Sequence, residues 1–387
     1  MPSATLWFVS VEGGLRPSVR SLAVCAARDD NSQRPLLRHP TRRNHTGVSR
    51  HLLILASVLV LTALTAGAES QKYEVYVTNE RSNDVTVIDG ATDTVVAAFP
   101  VGKRPRGIHP ARDGKRVFLA LSGSPRMAPG VETERAPADK AADGLGVIDP
   151  VARKMIDRWH AGSDPEEFAI SKDGSVAFIA NEDDASVVII DLSSGQARGK
   201  VKVSEEPEGM GVNPANGEVY VTCEEKGDVF VFGPGEQRVL AKIETGGRPR
   251  SVTFLPDGSR AYVACEASAS VAVIDTAQRT LLSKIQLPEG SLPMGTRVSV
   301  DGKELFVSTG RKNTVAVIDT KTNAVSATIP VGTRPWGIAL SPDGSKLYSA
   351  NGASDDVSVI EVKTHKELKR IKVGSGPWGV TTLSPGK

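Results

Sequence analysis

"YVTNERSNDVTVIDG", residues 76–90, reads as strand, turn and strand: two runs rich in β-branched residues flank a polar break. The chain keeps returning to it. "FIANEDDASVVIIDL" begins at 178, "YVTCEEKGDVFVFGP" at 220 and "YVACEASASVAVIDT" at 262. "FVSTGRKNTVAVIDT" follows at 306 and "YSANGASDDVSVIEV" at 348. Two independent landmarks keep the same period. One is the proline of a PxG-like turn, at Pro105, Pro165, Pro207, Pro249, Pro293, Pro335 and Pro377. The other is the residue ending the "VID" strand, at Asp89, Asp149, Asp191, Gly233, Asp275, Asp319 and Glu361. The prolines are spaced 60, 42, 42, 44, 42 and 42 residues apart, and the strand ends 60, 42, 42, 42, 44 and 42.

Within one period, "RPWGIALSPDGSKLYSANGASDDVSVIEVKTHKELKRIKVG" (334–374) holds four strands. Asp343-Gly344 marks the first hairpin, because both residues tolerate positive φ. The signal recurs at Asp113-Gly114, Asp173-Gly174, Asn216-Gly217, Asp257-Gly258 and Asp301-Gly302. Four strands in about 42 residues make one propeller blade. Seven landmarks of each kind imply an all-β, seven-bladed β-propeller of four-stranded blades. "GPWGVTTLSPGK" at the C-terminus is a first strand without a second, and "KYEVYVTN" is a second strand without a first. Together they make one blade, so strands from the two ends close the ring.

Residues 1–68 carry eight Arg against one Glu and two Asp. The segment 50–70 has a basic start, an apolar run and the small-residue pattern Ala66-Gly67-Ala68, which reads as a signal peptide cleaved after Ala68. Residues 1–49 read as an upstream extension from an early start site. The expected mature chain, 69–387, is therefore exported, periplasmic or secreted, with no stable membrane span after cleavage, and is expected as a monomer. With the leader removed from the chain's 47 basic and 45 acidic residues, the net charge is −3, which leaves no basic field for nucleic acid. Cys223 and Cys265 occupy equivalent points on neighbouring repeats and are expected as two separate thiols rather than a disulfide.

The "YVTN", "VxVID" and "PxG" elements resemble those of the YVTN-type β-propeller repeat proteins of bacteria. The exported seven-repeat layout is similar to the β-propeller proteins associated with pyrroloquinoline-quinone (PQQ)-dependent catabolism. This resemblance spans about residues 72–387 and implies a periplasmic accessory to quinoprotein alcohol oxidation. The implied partner is a quinoprotein dehydrogenase, a cytochrome c or a transporter component.

Strand order places the second-to-third loops and the turns into each first strand on one face, the top. The residues after the landmark prolines should ring the channel mouth: Arg106, Glu166, Glu208, Arg250, Met294, Trp336 and Trp378. Arg104, Arg248 and Arg334 stand before prolines, and Glu80, Glu182, Glu224 and Glu266 recur in the top loops. An acidic arc, a basic arc and an aromatic corner are expected, with the charges otherwise pairing as surface ion pairs. The extra residues of the first period, 123–143, should form a long top-face loop. The "VID" aspartates read as turn caps.

No haem-attachment, zinc, nucleophile-elbow or phosphate-loop motif is present, and no cofactor or metal is expected. His109, His160 and His365 fall on different blades, with none expected on the top face. A calcium site shared by the acidic loops 181–186 and 223–228 lacks the spacing of a known calcium loop. The leading reading is a non-enzymatic binding protein for a protein partner or small organic ligand, anchored by Arg106, Arg250, Arg334, Trp336 and Trp378, with Glu166 and Glu208 at the same mouth. The alternative is a hydrolase similar to the seven-bladed lactonases, with Glu208 or Glu166 as general base and Arg250 polarising a carbonyl. A structural or adhesive role is the third class.

Overall fold

The alternation of short apolar runs with Asp-Gly and Asx turns gives strands and nothing longer. The computed structural model describes residues 72–125, 137–235 and 237–384, all within the unit Ala68–Lys387. The unit Met1–Gly67 lies outside the described residues, as do the expected signal peptide, its cleavage site and the 1–49 extension. Twenty-eight strands form seven four-stranded antiparallel sheets arranged as a β-propeller. Blades one to six span 105–159, 165–202, 207–244, 249–286, 296–330 and 335–372. Blade seven joins Pro377–Leu383 to Glu74–Asn79, pairing Tyr76 with Thr381 and Glu74 with Leu383. Among the described residues no helix is long and apolar enough to cross a membrane.

Each role in the repeated phrase is now visible. Its aromatic (Tyr76, Phe178, Tyr220, Tyr262, Phe306, Tyr348) is fully buried. Seven apolar clusters fill the ring, each shared by two neighbouring blades, as where Phe178 of blade two meets Phe232 of blade three. The second strands are thus covered on both faces, which explains their unbroken apolar character. The hydroxyl position clamps three strands together. Thr78 Oγ1 accepts from Gly379 N–H at 2.9 Å and donates to the Arg106 carbonyl of the next blade at 2.7 Å. Ser308 repeats this with Gly295 N–H and the Trp336 carbonyl. The Asn position ties the following hairpin: Asn351 Nδ2 donates to Asp356 and Ser358, both at 2.9 Å.

The PxG glycine has its own cause. First strands converge on the axis, and a Cβ on Gly209 would lie 2.0 Å from the Arg250 carbonyl oxygen. Gly295, Gly337 and Gly379 face the equivalent carbonyls of Trp336, Trp378 and Arg106. No side chain fits where the next blade's backbone is that close.

The "VID" aspartates cap turns, as expected. Asp319 Oδ1 accepts from Lys321 N–H at 3.1 Å and Thr322 N–H at 2.7 Å. Asp319→Ala is expected to cost about 1 kcal/mol, the worth of a capping bond, and to lower Tm by about 2–4 °C in a domain of this size. Differential scanning calorimetry would check it; an unchanged Tm would deny the cap any role in stability.

One expectation needs correction. In blade five the first strand is only Thr296–Val298, and Pro293 precedes it, because two extra residues loosen the turn 287–295. His160 lies just beyond the outer strand Lys154–Trp159. The long loop of blade one does leave from Leu121 and return at Gly144, but residues 126–136 lie outside the described residues. Its return leg turns through Lys140–Ala142 and is held by Gly123 N–H donating to Asp143 Oδ1 at 2.7 Å. Cys223 and Cys265 are separate buried thiols in different interblade cores, and burial pushes the Cys223 thiol up to about 12.

Candidate functional site

First strands stand nearest the axis, so residues one, two and four places after the landmark proline decide what the channel offers. Most of the expected mouth residues do come together, but as interleaved ion pairs and not as separate arcs. Arg106 is only 4% exposed and is held against Glu166, with Glu80 at 3.6 Å and Asp164 at 3.7 Å. Arg104 pairs with Glu80 at 3.0 Å. Across the ring Arg250 contacts Glu224, with Glu208 at 3.4 Å and Glu266 at 3.6 Å, while Arg248 Nε donates to Glu224 at 2.7 Å. These are largely buried pairs, not the surface pairs expected, and losing one partner would strand a charge. Glu166 is therefore unavailable as a general base: its carboxylate is enclosed with Arg106. Glu208 does line the channel, beside Arg250.

Among the described residues Glu182 has no such ion-pair partner. Burial, reinforced by the Glu208, Asp164 and Glu206 carboxylates, pushes its carboxyl up to about 8. The native state then holds a proton that the unfolded chain releases from about pH 4.5 upward. Stability should fall as pH rises from about 4.5 to 8 and level off above that. Glu182→Gln should flatten this decline, as read from urea midpoints between pH 5 and 8; a slope unchanged by the substitution would assign the decline to other groups.

Carboxylate oxygens of Asp164, Glu166 and Glu182 lie within 4.8 Å of one another, a grouping able to hold a cation. It is not the pairing of acidic loops considered from the sequence, and Arg106 already neutralises two of its members.

The aromatic corner forms as a pair. Trp336 and Trp378 are half-exposed and meet edge to face, centroids 5.9 Å apart and planes at 73°. The Arg250 and Arg334 guanidiniums lie over Trp336 at 5.2 and 5.1 Å. Met294, between these blades, is buried.

Deeper in the channel is a group the sequence reading missed. His109 Nε2 and Glu167 Oε1 are 2.9 Å apart, and both side chains line the channel wall. Phe168 N–H donates to the same Glu167 oxygen at 2.9 Å, and the Phe168 ring meets the imidazole edge to face. His109 Nδ1 and Glu167 Oε2 have no partner among the described residues. Arg297 also lines the channel, with one long bond from Nη2 to the Ile338 carbonyl at 3.4 Å. Burial lowers its pKa, and the Glu167 charge opposes that shift. The channel holds about 770 Å³ of free space, part of it open to solvent. The signal was present in the repeats. Two places after the landmark proline the other blades carry Gly107, Gly209, Ser251, Gly295, Gly337 and Gly379, and blade two alone carries Glu167. Four places after it stand His109 and Arg297, where the other blades have only Ala, Gly or Thr.

Residues 209–375 match the family model for seven-bladed β-propeller lactonases. The match covers less than half of the chain, whose fold is a seven-bladed β-propeller. No curated protein matches the chain in sequence. Among solved structures, the periplasmic gluconolactonase of Pseudomonas aeruginosa is 22% identical, with a TM-score of 0.65 over 81% of this chain and 100% of that one. A candidate 6-phosphogluconolactonase of Bacteroides uniformis is 18% identical, with a TM-score of 0.65 over 81% and 100%. The Kuenenia stuttgartiensis hydrazine synthase chain is also 18% identical, with a TM-score of 0.61 over 73% and 95%. These likenesses are likenesses of fold.

Proposed function

We propose that the chain hydrolyses lactones in its central channel. The observation that carries this is the His109–Glu167 pair facing Arg297 within a lactonase-type propeller. Glu167 accepts the Nε2 proton and so leaves Nδ1 as the basic nitrogen. His109 Nδ1 takes a proton from water as its oxygen attacks the lactone carbonyl carbon. The resulting oxyanion is stabilised by Arg297, a cation bonded to no carboxylate among the described residues. Collapse breaks the ring C–O bond, and the imidazolium returns its proton to the leaving oxygen. One lactone and one water become one hydroxy acid. In this reading the base is His109 in place of Glu208 or Glu166, and the polarising cation is Arg297 in place of Arg250.

The test is acid release from γ- and δ-lactones of sugar acids, followed at constant pH with purified 69–387. Turnover above the spontaneous rate is expected. No acceleration with any lactone would remove the proposal.

A second reading has support in the half-exposed Trp336 and Trp378 with Arg334 and the Arg106 and Arg250 networks: top-face binding of a periplasmic partner or small ligand, as an accessory to PQQ-dependent alcohol oxidation. The periplasmic location of the Pseudomonas gluconolactonase fits an exported chain. Retention of a dehydrogenase, cytochrome or transporter component from periplasmic extract by wild type, but not by Trp336→Ala/Trp378→Ala, would favour this reading.

A further inference from the structure

The repeats set a rule for the arginines before the landmark prolines. Arg104 is neutralised by Glu80, and Arg248 by Glu224. In both cases the glutamate comes from the preceding blade, one residue after the "YVTN" or "YVTC" strand. Arg334 is the third such arginine, and it breaks the rule. The corresponding residue of blade five, after "FVST", is Gly310. The next residue is not acidic either: it is Arg311, whose charge acts on Arg334.

Among the described residues neither Arg334 nor Arg311 forms an ion pair. Arg334 is positioned by its backbone, which donates to Asn313 Oδ1 at 2.9 Å, and its guanidinium lies over Trp336. Glu266 and Glu80 act on it only at longer range, and both are committed elsewhere: Glu266 to Arg250, Glu80 to Arg104 and Arg106. Beside this unanswered cation stand two half-exposed indoles, neither with a hydrogen-bond partner for its N–H among the described residues. Among the described residues no cation lies on the Trp378 ring. A missing carboxylate thus adjoins an open aromatic face and free N–H donors.

We infer that the mouth at blades five to seven is a binding site for an aromatic carboxylate, whose acid group takes the place of the missing glutamate on Arg334 and whose ring lies against Trp378 and Trp336. Arg311 closes on the same acid group. The carboxylate supplies a charge-assisted bond like those of Glu80 and Glu224, and the ring supplies stacking area. Either alone is weak at an exposed mouth; the two together give selectivity. Trp336 and Trp378 line the mouth of the same cavity that holds His109, Glu167 and Arg297, and the binding inference does not rest on the lactonase reading.

The probe is 2-naphthoate, titrated into 69–387 by isothermal calorimetry, with cyclohexanecarboxylate and 2-naphthalenemethanol as controls for ring and charge. Naphthoate is expected to bind at least about fivefold more tightly than either control. Arg334→Asn, a residue that tolerates the left-handed backbone at this position (φ 57°), should weaken it at least about tenfold, as should Trp378→Ala. Unaltered melting of both mouth variants secures the comparison. Equal binding of naphthoate and cyclohexanecarboxylate, no binding at all, or full affinity in Arg334→Asn would overturn the inference. Lactone turnover without naphthoate binding would sink the mouth site alone, and naphthoate binding without turnover would sink the lactonase proposal alone.

Discussion

Glu167→Gln is expected to lower lactone turnover by about 10²–10⁴-fold with little change in KM, the usual worth of a positioned base and its orienting partner. Glutamine keeps the size of the side chain but not its charge. It can accept from His109 Nε2–H, yet it cannot stabilise the imidazolium that forms as Nδ1 takes the proton. His109→Gln should fall at least as far, and the double variant no further than the worse single one, because the two groups act as a unit. Glu208→Gln discriminates: Glu208 is one of the two bases, with Glu166, of the alternative hydrolase reading of the sequence, and here the variant should retain most of the activity. If Glu208→Gln is the inactive variant and Glu167→Gln keeps its rate, the catalytic group is at the Arg250 side of the mouth and the channel mechanism is wrong.

Gly209→Ala should give the largest loss of stability for the smallest change in mass. The added methyl would sit 2.0 Å from the Arg250 carbonyl oxygen and 2.8 Å from Ser251 Cα, and backbone cannot step aside as a flexible side chain can. Relief requires the first strands of blades three and four to part, at the level where Thr222 Oγ1 holds Gly209 N–H at 2.8 Å. Overpacking of this kind costs about 1–3 kcal/mol, and here a clamp hydrogen bond adds to it. A Tm decrease of about 5–10 °C is expected. Ser251→Ala is the control: blade four already accommodates a Cβ at this position. A Gly209→Ala protein that melts with wild type would mean that strand convergence at the axis has slack, and the reason given for the PxG motif would fail.

The fold was legible because its determinants are local and repeated. The aromatic of Tyr76 meets the same buried surroundings in every blade, the Thr78 hydroxyl returns at Thr222 and Ser308 and the Asn79 amide at Asn181 and Asn351, so the sequence repeats what the structure repeats, and Asp319 announces its turn within three residues. The site was less legible for the opposite reason. Arg106, Glu166, Glu208, Arg250, Trp336 and Trp378 do converge at the mouth, since one position per blade locates them. What each can do depends on its neighbour across an interblade gap, and spacing along the chain does not report that. Glu166 looked like a base until Arg106 was found enclosed with it. His109 and Glu167 are 58 residues apart and on different blades. Finding them required knowing which first-strand residues face the axis, and then reading the one blade where glycine gives way to glutamate.

The pairing of Glu74–Asn79 with Pro377–Leu383 sets an order of events during synthesis. The first of these segments leaves the ribosome some 300 residues before the second, so blade seven cannot form until almost the whole chain has been made. Until then blade six lacks a complete neighbour, and its apolar surface meant for blade seven, Tyr348 included, faces water, while the inner edge of Glu74–Asn79 stays unpaired. The nascent ring is therefore most prone to associate with other chains just before it closes.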